Sequence, residues 1–144
     1  MRCLAALALV ATAAPVAAAE FRSIAESGTL MYDAPSIKAK KLFVASRGYP
    51  VEIVVDVDAW AKVRDQAGDL SWVEKKTLSE KRTVVVTAPF ADVRQSASDS
   101  SPLVLQAQQG VALELAEPQT GGWLKVRHAD GQTGFVKINQ IWGR

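Results

Sequence analysis

The residues Trp-Ala-Lys-Val-Arg at positions 60–64 recur as Trp-Leu-Lys-Val-Arg at positions 123–127, 63 residues further along the chain. Behind each copy the same spacing leads to a glycine and then to an aromatic residue followed by valine: Gly68, Trp72 and Val73 in the first copy, Gly131, Phe135 and Val136 in the second. A constant offset over this many positions indicates an internal duplication, so the chain consists of two related units.

Both copies have the pattern of short β-strands separated by turns. Residues 60–63 alternate large apolar side chains with small or polar ones, which is the period of a half-buried strand. Asp130-Gly131 is a strong signal for a tight hairpin. The predicted strands are 28–32, 41–45, 51–55, 60–63 and 70–73 in the first copy, and 83–87, 103–105, 111–115 and 123–127 in the second. No segment has a convincing helical period, so we predict an all-β fold.

Upstream of the tryptophans the offset between the copies falls to 62 residues, which pairs Gly48 with Gly110 and Phe43 with Leu105. One residue has therefore been inserted before Trp123, and we place it in the loop at 118–122. A loop accepts such a change, whereas a one-residue slip inside a strand would turn its buried face to solvent.

The first nineteen residues are predicted to be a signal peptide. Arg2 provides a positive start, residues 4–14 form a short apolar run, and three alanines at 17–19 form a small-residue cleavage site. We therefore predict an exported protein, periplasmic or extracellular after cleavage. The rest of the 144-residue chain divides into a first unit at 28–80 and a second at 83–143, joined by a short linker.

Composition limits the chemistry of the mature chain. Cleavage removes Cys3, the single cysteine, so neither a disulfide nor a thiolate metal site can form. The full chain has a formal net charge of +2, and removal of Arg2 leaves the mature chain almost neutral, so no field favours nucleic acid. His128, the single histidine, lies in the turn before Asp130, and no nucleophile motif accompanies it. We predict no enzymatic activity, no cofactor and no metal.

The segment from Trp123 to Arg127, the glycine Gly131, and Gly-Phe-Val at 134–136 resemble the bacterial SH3 family of extracytoplasmic proteins. The first copy is similar, with Ser71 where the family favours glycine. The family's early Leu-Asn-Val-Arg segment is matched by residues 92–94 and loosely by 30–33. The resemblance covers nearly all of 28–143 and implies two tandem SH3-like β-barrels.

The resemblance also implies where a ligand would bind. SH3-type barrels bind ligands in a groove that is floored by aromatic residues and bordered by a long irregular loop. The residues of this chain that match those positions are Tyr32, Asp33, Trp60, Arg94 and Trp123. The proline and tyrosine that receive a polyproline ligand in eukaryotic SH3 domains have no counterpart here, so we do not expect recognition of that kind. Each tryptophan could instead be a core residue, and Asp33 could simply cap a solvated turn.

Two further expectations concern packing and charge. We expect Trp72 and Phe135 to face inward as core residues. Three basic segments, at 38–41, 75–76 and 81–82, could converge into a rim for carboxylate-bearing peptides or acidic lipid headgroups, although solvated surface is the commoner reason for such lysines.

Two functions are consistent with these observations. The first is a non-catalytic adaptor of the cell envelope that binds an envelope protein, a peptide or the peptides of the cell wall, without spanning the membrane. The second is a structural or assembly protein whose barrels pack on each other or self-associate. Trp142 favours the second, because a large apolar residue beyond the last repeated strand needs a surface to cover.

Overall fold

The computed structural model describes residues 18–118 and 121–144. All but the last two residues of the predicted signal peptide lie outside these ranges, as do two residues of the predicted insertion loop at 118–122. The described residues form two antiparallel sheets of seven strands each, with no α-helix among them. The prediction of an all-β fold in two units is therefore confirmed.

The strands follow the same course in both units. The first unit contains β1 (Phe21–Ile24), β2 (Thr29–Tyr32), β3 (Lys41–Ala45), β4 (Pro50–Val57), β5 (Trp60–Arg64), β6 (Leu70–Glu74) and β7 (Leu78–Ser79). The second contains β8 (Thr83–Val86), β9 (Phe90–Arg94), β10 (Leu103–Gln108), β11 (Ala112–Leu115), β12 (Trp123–Arg127), β13 (Thr133–Lys137) and β14 (Ile141–Trp142). One turn of 3₁₀ helix precedes the last strand of each unit, at Lys75–Thr77 and at Ile138–Gln140.

The order of strands across each sheet is also the same. It is β3-β2-β6-β5-β4-β1-β7 in the first unit and β10-β9-β13-β12-β11-β8-β14 in the second. The equivalent strands β3 and β10 thus each lie at an edge. The internal duplication of the sequence is a duplication of the whole sheet.

The strand alternation gives each unit its own apolar core. In β5 and β6 the side chains of Ala61, Val63 and Val73 are buried, while their neighbours Trp60 and Trp72 are only partly covered. Two separate buried clusters result, one built around Val51 and Val63 and the other around Leu113 and Val126 in the second unit.

The first sheet includes one strand that precedes the predicted start of its unit at residue 28. Strand β1 pairs with both β4 and β7, and its Ile24 lies in the core. It matches β8 of the second unit, whose four residues are all buried.

The two units are in direct contact. The hydroxyl of Thr83, at the start of the second unit, donates a 2.6 Å hydrogen bond to the carbonyl oxygen of Gly48 in the first. The rings of Phe21 and Trp142 meet edge to face with centroids 5.3 Å apart. The surface that Trp142 covers is therefore the first strand of the other unit.

Candidate binding faces of the two units

Three aromatic residues lie on the face of the first sheet that is opposite Val73; Tyr32 is buried there, with 6% of its surface exposed, while Trp60 and Trp72 are half-buried. Tyr32 is the register partner of Trp72, so their side chains lie on one face, opposite the core residue Val73. The rings of Tyr32 and Trp60 are in T-shaped contact, with centroids 5.5 Å apart. We call Tyr32, Trp60 and Trp72 the aromatic face.

The expectation that Trp72 and Phe135 belong to the core was wrong. Val73 and Val136 are completely buried, and successive side chains of a strand point to opposite faces. Trp72 and Phe135 must therefore point outward, and both are only half-buried.

Asp33 closes the loop beside the aromatic face. Its carboxylate accepts a 3.1 Å hydrogen bond from the backbone N–H of Lys40, and its own N–H donates to the Lys40 carbonyl oxygen at 3.0 Å. The side chain of Asp33 is exposed. Asp33 both caps this loop and adds negative charge beside Tyr32.

The second unit has a different arrangement at the equivalent positions. Arg94 replaces Tyr32, and its guanidinium donates to the Ser101 carbonyl oxygen at 2.8 Å and to the Asp92 carboxylate at 3.2 Å. The cavity that Arg94 and Trp123 line has a volume of only about 40 Å³. A space of this size holds one or two waters, not a peptide side chain.

Lysine side chains cover the aromatic rings of the second unit. The Lys137 ammonium lies 5.7 Å from the centre of the Trp123 ring and forms an ion pair with Asp99 at 2.6 Å. The Lys125 ammonium lies 6.0 Å from the centre of the Phe135 ring. Cations are attracted to the faces of aromatic rings, so these contacts compete with any ligand.

The first unit has an acidic residue where Lys137 stands in the second. Glu74 is the register partner of Trp60, and its carboxylate pairs with Lys76 at 3.4 Å. Within residues 18–118 and 121–144, no cation lies over the ring of Trp60 or Trp72. The two units therefore share a backbone and differ in whether a lysine lies over their aromatic rings.

Half of the six lysines expected to form a basic rim are neutralised by neighbours. Lys75 pairs with Asp56, and Lys81 pairs with Glu114 at 3.1 Å. The ion pair of Lys76 with Glu74 has been described above. Of the three basic segments, the one at 38–41 keeps its lysines without an ion pair to a described residue.

Among the described residues, two groups have displaced pKa values. Hydrogen bonds from the backbone of Gln132 and then from His128 lower the pKa of the exposed Asp130 carboxyl. Burial, and then the charge of Asp65, raise the pKa of the Tyr49 phenol. His128 and Asp130 lie 3.0 Å apart in a hairpin turn. No group of metal-ligating side chains was found among the described residues.

Comparison with known proteins identifies one family. The family model of the bacterial SH3 domain matches the chain twice, over residues 25–80 and 87–143. No curated protein matches the chain. In addition, no helix among the described residues is long and apolar enough to cross a membrane.

Three solved structures are similar to the chain. NlpC2 from Trichomonas vaginalis is 13% identical with a TM-score of 0.39, and the match covers 88% of this chain and 49% of that one. NlpC1 from the same organism is 13% identical with a TM-score of 0.39, and the match covers 97% of this chain and 51% of that one. An NlpC/P60 family protein from Bacillus cereus ATCC 10987 is 17% identical with a TM-score of 0.40, and the match covers 85% of this chain and 56% of that one. The chain thus spans about half the length of these proteins.

Proposed function

The chain belongs to the bacterial SH3 domain family, of which it carries two tandem copies, and from this premise we propose that it is a non-catalytic binding protein of the cell envelope. The ligand binds to the aromatic face of the first unit. The second unit supports the first and does not bind the same ligand. The protein acts after export, in the periplasm or outside the cell.

The observation that carries this proposal is the contrast between the two tryptophans. Trp60 stands beside Tyr32, with no cation over its ring among the described residues. Trp123 has the Lys137 ammonium over its ring, and Asp99 holds that ammonium in place. A ligand can stack on Trp60 directly, whereas at Trp123 it must first displace an ion pair.

The charges around the aromatic face indicate the chemistry of the ligand. Asp33 and Glu74 both place carboxylates beside it. A peptide that bears a free amine and an apolar or planar group fits this combination, since the amine pairs with a carboxylate and the rest stacks on Trp60. The peptides of the cell wall have this chemistry.

The proposal is tested by sedimentation of the mature protein with purified, insoluble cell wall. Trp60→Ala should reduce the bound fraction at least fivefold, because it removes the stacking surface. Trp123→Ala is the matched control, as it truncates the equivalent residue of the other unit, and it should leave the bound fraction unchanged. Equal binding by wild type and Trp60→Ala would show that the aromatic face is not the site.

A structural role is the second candidate, and the contact between Phe21 and Trp142 favours it. This contact joins the two barrels through a face that contains neither Trp60 nor Trp123. If the protein only assembles, neither tryptophan variant will change its binding to cell wall, while Trp142→Ala will change its association state in analytical ultracentrifugation.

A further inference from the structure

Strand β3 is an edge strand with an unusual amount of exposed apolar surface. It pairs with β2 on one side only. All four residues from Lys41 to Val44 are exposed, including Phe43 at 41% and Val44 at 69%. The edges of natural sheets are normally shortened, charged or covered, because an open edge is a template for pairing with another chain. An apolar edge of this kind indicates a partner.

Positive charge surrounds this edge. No aspartate or glutamate occurs between Asp33 and Glu52. Four exposed cations flank the strand, and none of them forms an ion pair with a described residue: Lys38, Lys40, Lys41 and Arg47. Elsewhere in the described chain most lysines and arginines are paired with carboxylates. The cations left unpaired around β3 are suited to acidic groups of a partner.

A groove lies beside the same strand. Its volume is about 360 Å³, and Phe43 and Val44 of β3 line it together with Met31 and Tyr49. Gly110, from the second unit, also contributes to it. Asp65 provides an acidic wall, so this groove accepts apolar side chains better than acidic ones.

We propose that β3 binds an extended peptide of alternating acidic and apolar residues, which adds to the sheet as an eighth strand. The backbone of the peptide pairs with the free edge of β3. Its apolar side chains contact Phe43, Val44 and the groove, and its carboxylates meet the four cations. This site is separate from the aromatic face and does not depend on the function proposed for it.

Charge distinguishes this partner from a second copy of the chain. Two β3 strands paired antiparallel would place the lysines at one end of each strand next to Arg47 of the other. Like charges opposite each other destabilise a sheet. A lipid surface would satisfy the cations, but it offers no backbone groups to the open edge. An acidic peptide satisfies both the charges and the edge.

The second unit provides an internal comparison. Its edge strand β10 has Gln106 at the position of Val44 and Leu103 at the position of Lys41. The loop before it contains no lysine or arginine, and its Asp99 is already paired with Lys137. The same edge of the same fold keeps an exposed apolar residue, Leu103, but lacks the valine at the position of Val44 and the surrounding cations.

The probe for the test is an end-capped, fluorescent eight-residue peptide of alternating glutamate and valine, titrated with the mature protein and followed by anisotropy. Wild type should bind it saturably. Val44→Gln, which installs the residue found in the second unit, and the double variant Lys40→Gln/Lys41→Gln should each weaken binding at least fivefold. Leu103→Gln, an exposed apolar residue on the other edge strand, is the matched control and should bind as wild type does.

Three further measurements can overturn the proposal. A peptide with proline at its fourth position should bind at least fivefold more weakly, and equal binding would exclude strand addition. Binding to vesicles with 30% phosphatidylglycerol, without binding to the peptide, would assign the site to a membrane. Dimerisation that Val44→Gln abolishes would assign it to a second copy. Because Trp60→Ala should leave peptide binding unchanged, failure here is distinguishable from failure of the aromatic face.

Discussion

Gly134 shows how a single position makes the two units unlike. A Cβ atom at Gly134 would lie 2.6 Å from the Arg94 carbonyl oxygen and 2.7 Å from Val93 Cγ1. In the first unit the equivalent residue is Ser71, which is buried and accommodated. The outward side chain beside it is Phe135 in one unit and Trp72 in the other. At this position the strand pair β13 and β9 leaves no room for a Cβ atom, whereas the equivalent position in β6 accommodates the side chain of Ser71. Sequence alignment alone does not reveal this difference.

Gly134→Ala should lower the free energy of unfolding by about 1–3 kcal/mol, because the backbone of β9 must move to admit the new methyl group. Chemical denaturation followed by circular dichroism measures this change. Gly122→Ala is the control, since a Cβ atom there meets nothing within 4 Å. Equal stability of the two variants would contradict the close approach of β13 to β9.

The role of Trp72 was missed at the residue scale for a simple reason. A large aromatic residue in a short strand suggests a core position, but its neighbour Val73 is completely buried. Neighbouring residues of a strand point to opposite faces, so Trp72 and Val73 cannot both be inside, and the smaller residue occupies the core. No local pattern in the sequence indicates the ion pair of Lys137 with Asp99, because it joins a strand to a distant loop.

At the scale of elements, the turns were the most predictable part of the molecule. The hairpin at Asp130-Gly131 forms as expected between β12 and β13, and Gly131 has a φ of 92°. The strand β1 was missed, since Arg22 and Ser23 interrupt its apolar pattern next to the predicted cleavage site. β9 was also missed as a strand, although its residues 92–94 carried part of the family resemblance.

The hairpin between β4 and β5 contains a residue in an unfavourable conformation. Asp58 has a φ of 52° and is the first of the two residues that connect Val57 to its register partner Trp60. Glycine is preferred at this position of a two-residue turn. The turn directly precedes Trp60, so its geometry helps to position the ring of the aromatic face.

Asp58→Gly should raise the free energy of unfolding by up to about 1 kcal/mol, because glycine adopts a positive φ without a steric penalty. Asp58→Val should lower it, since a β-branched residue is disfavoured there. Thermal denaturation of the two variants beside wild type measures whether each substitution raises or lowers the stability. A more stable valine variant would be inconsistent with the left-handed conformation at this residue.

At the scale of the whole molecule, the two barrels support each other. Units of this size bury too little surface to be very stable alone, and only residues 80–82 separate β7 from β8. Gly143 approaches Pro50 so closely that a Cβ atom would lie 2.9 Å from it. Together with the Thr83 hydrogen bond and the ring contact of Trp142, this joins the end of the second unit to the first.

We therefore expect the mature protein to unfold in one transition. Thr83→Val should lower the free energy of unfolding by about 1–3 kcal/mol, because the partly buried carbonyl of Gly48 loses its donor. Urea denaturation followed by both tryptophan fluorescence and circular dichroism measures it. Two resolved transitions in wild type, or a variant as stable as wild type, would contradict a structural contact between the units.

The central claim is that the aromatic face of the first unit binds the ligand and the second unit does not. The chain has four tryptophans, so the indole N–H signals in a ¹H–¹⁵N spectrum report on both units at once. On titration with soluble peptide fragments of cell wall, the signals of Trp60 and Trp72 should shift saturably, while those of Trp123 and Trp142 stay in place. A shift of Trp123 without any shift of Trp60 would contradict the claim.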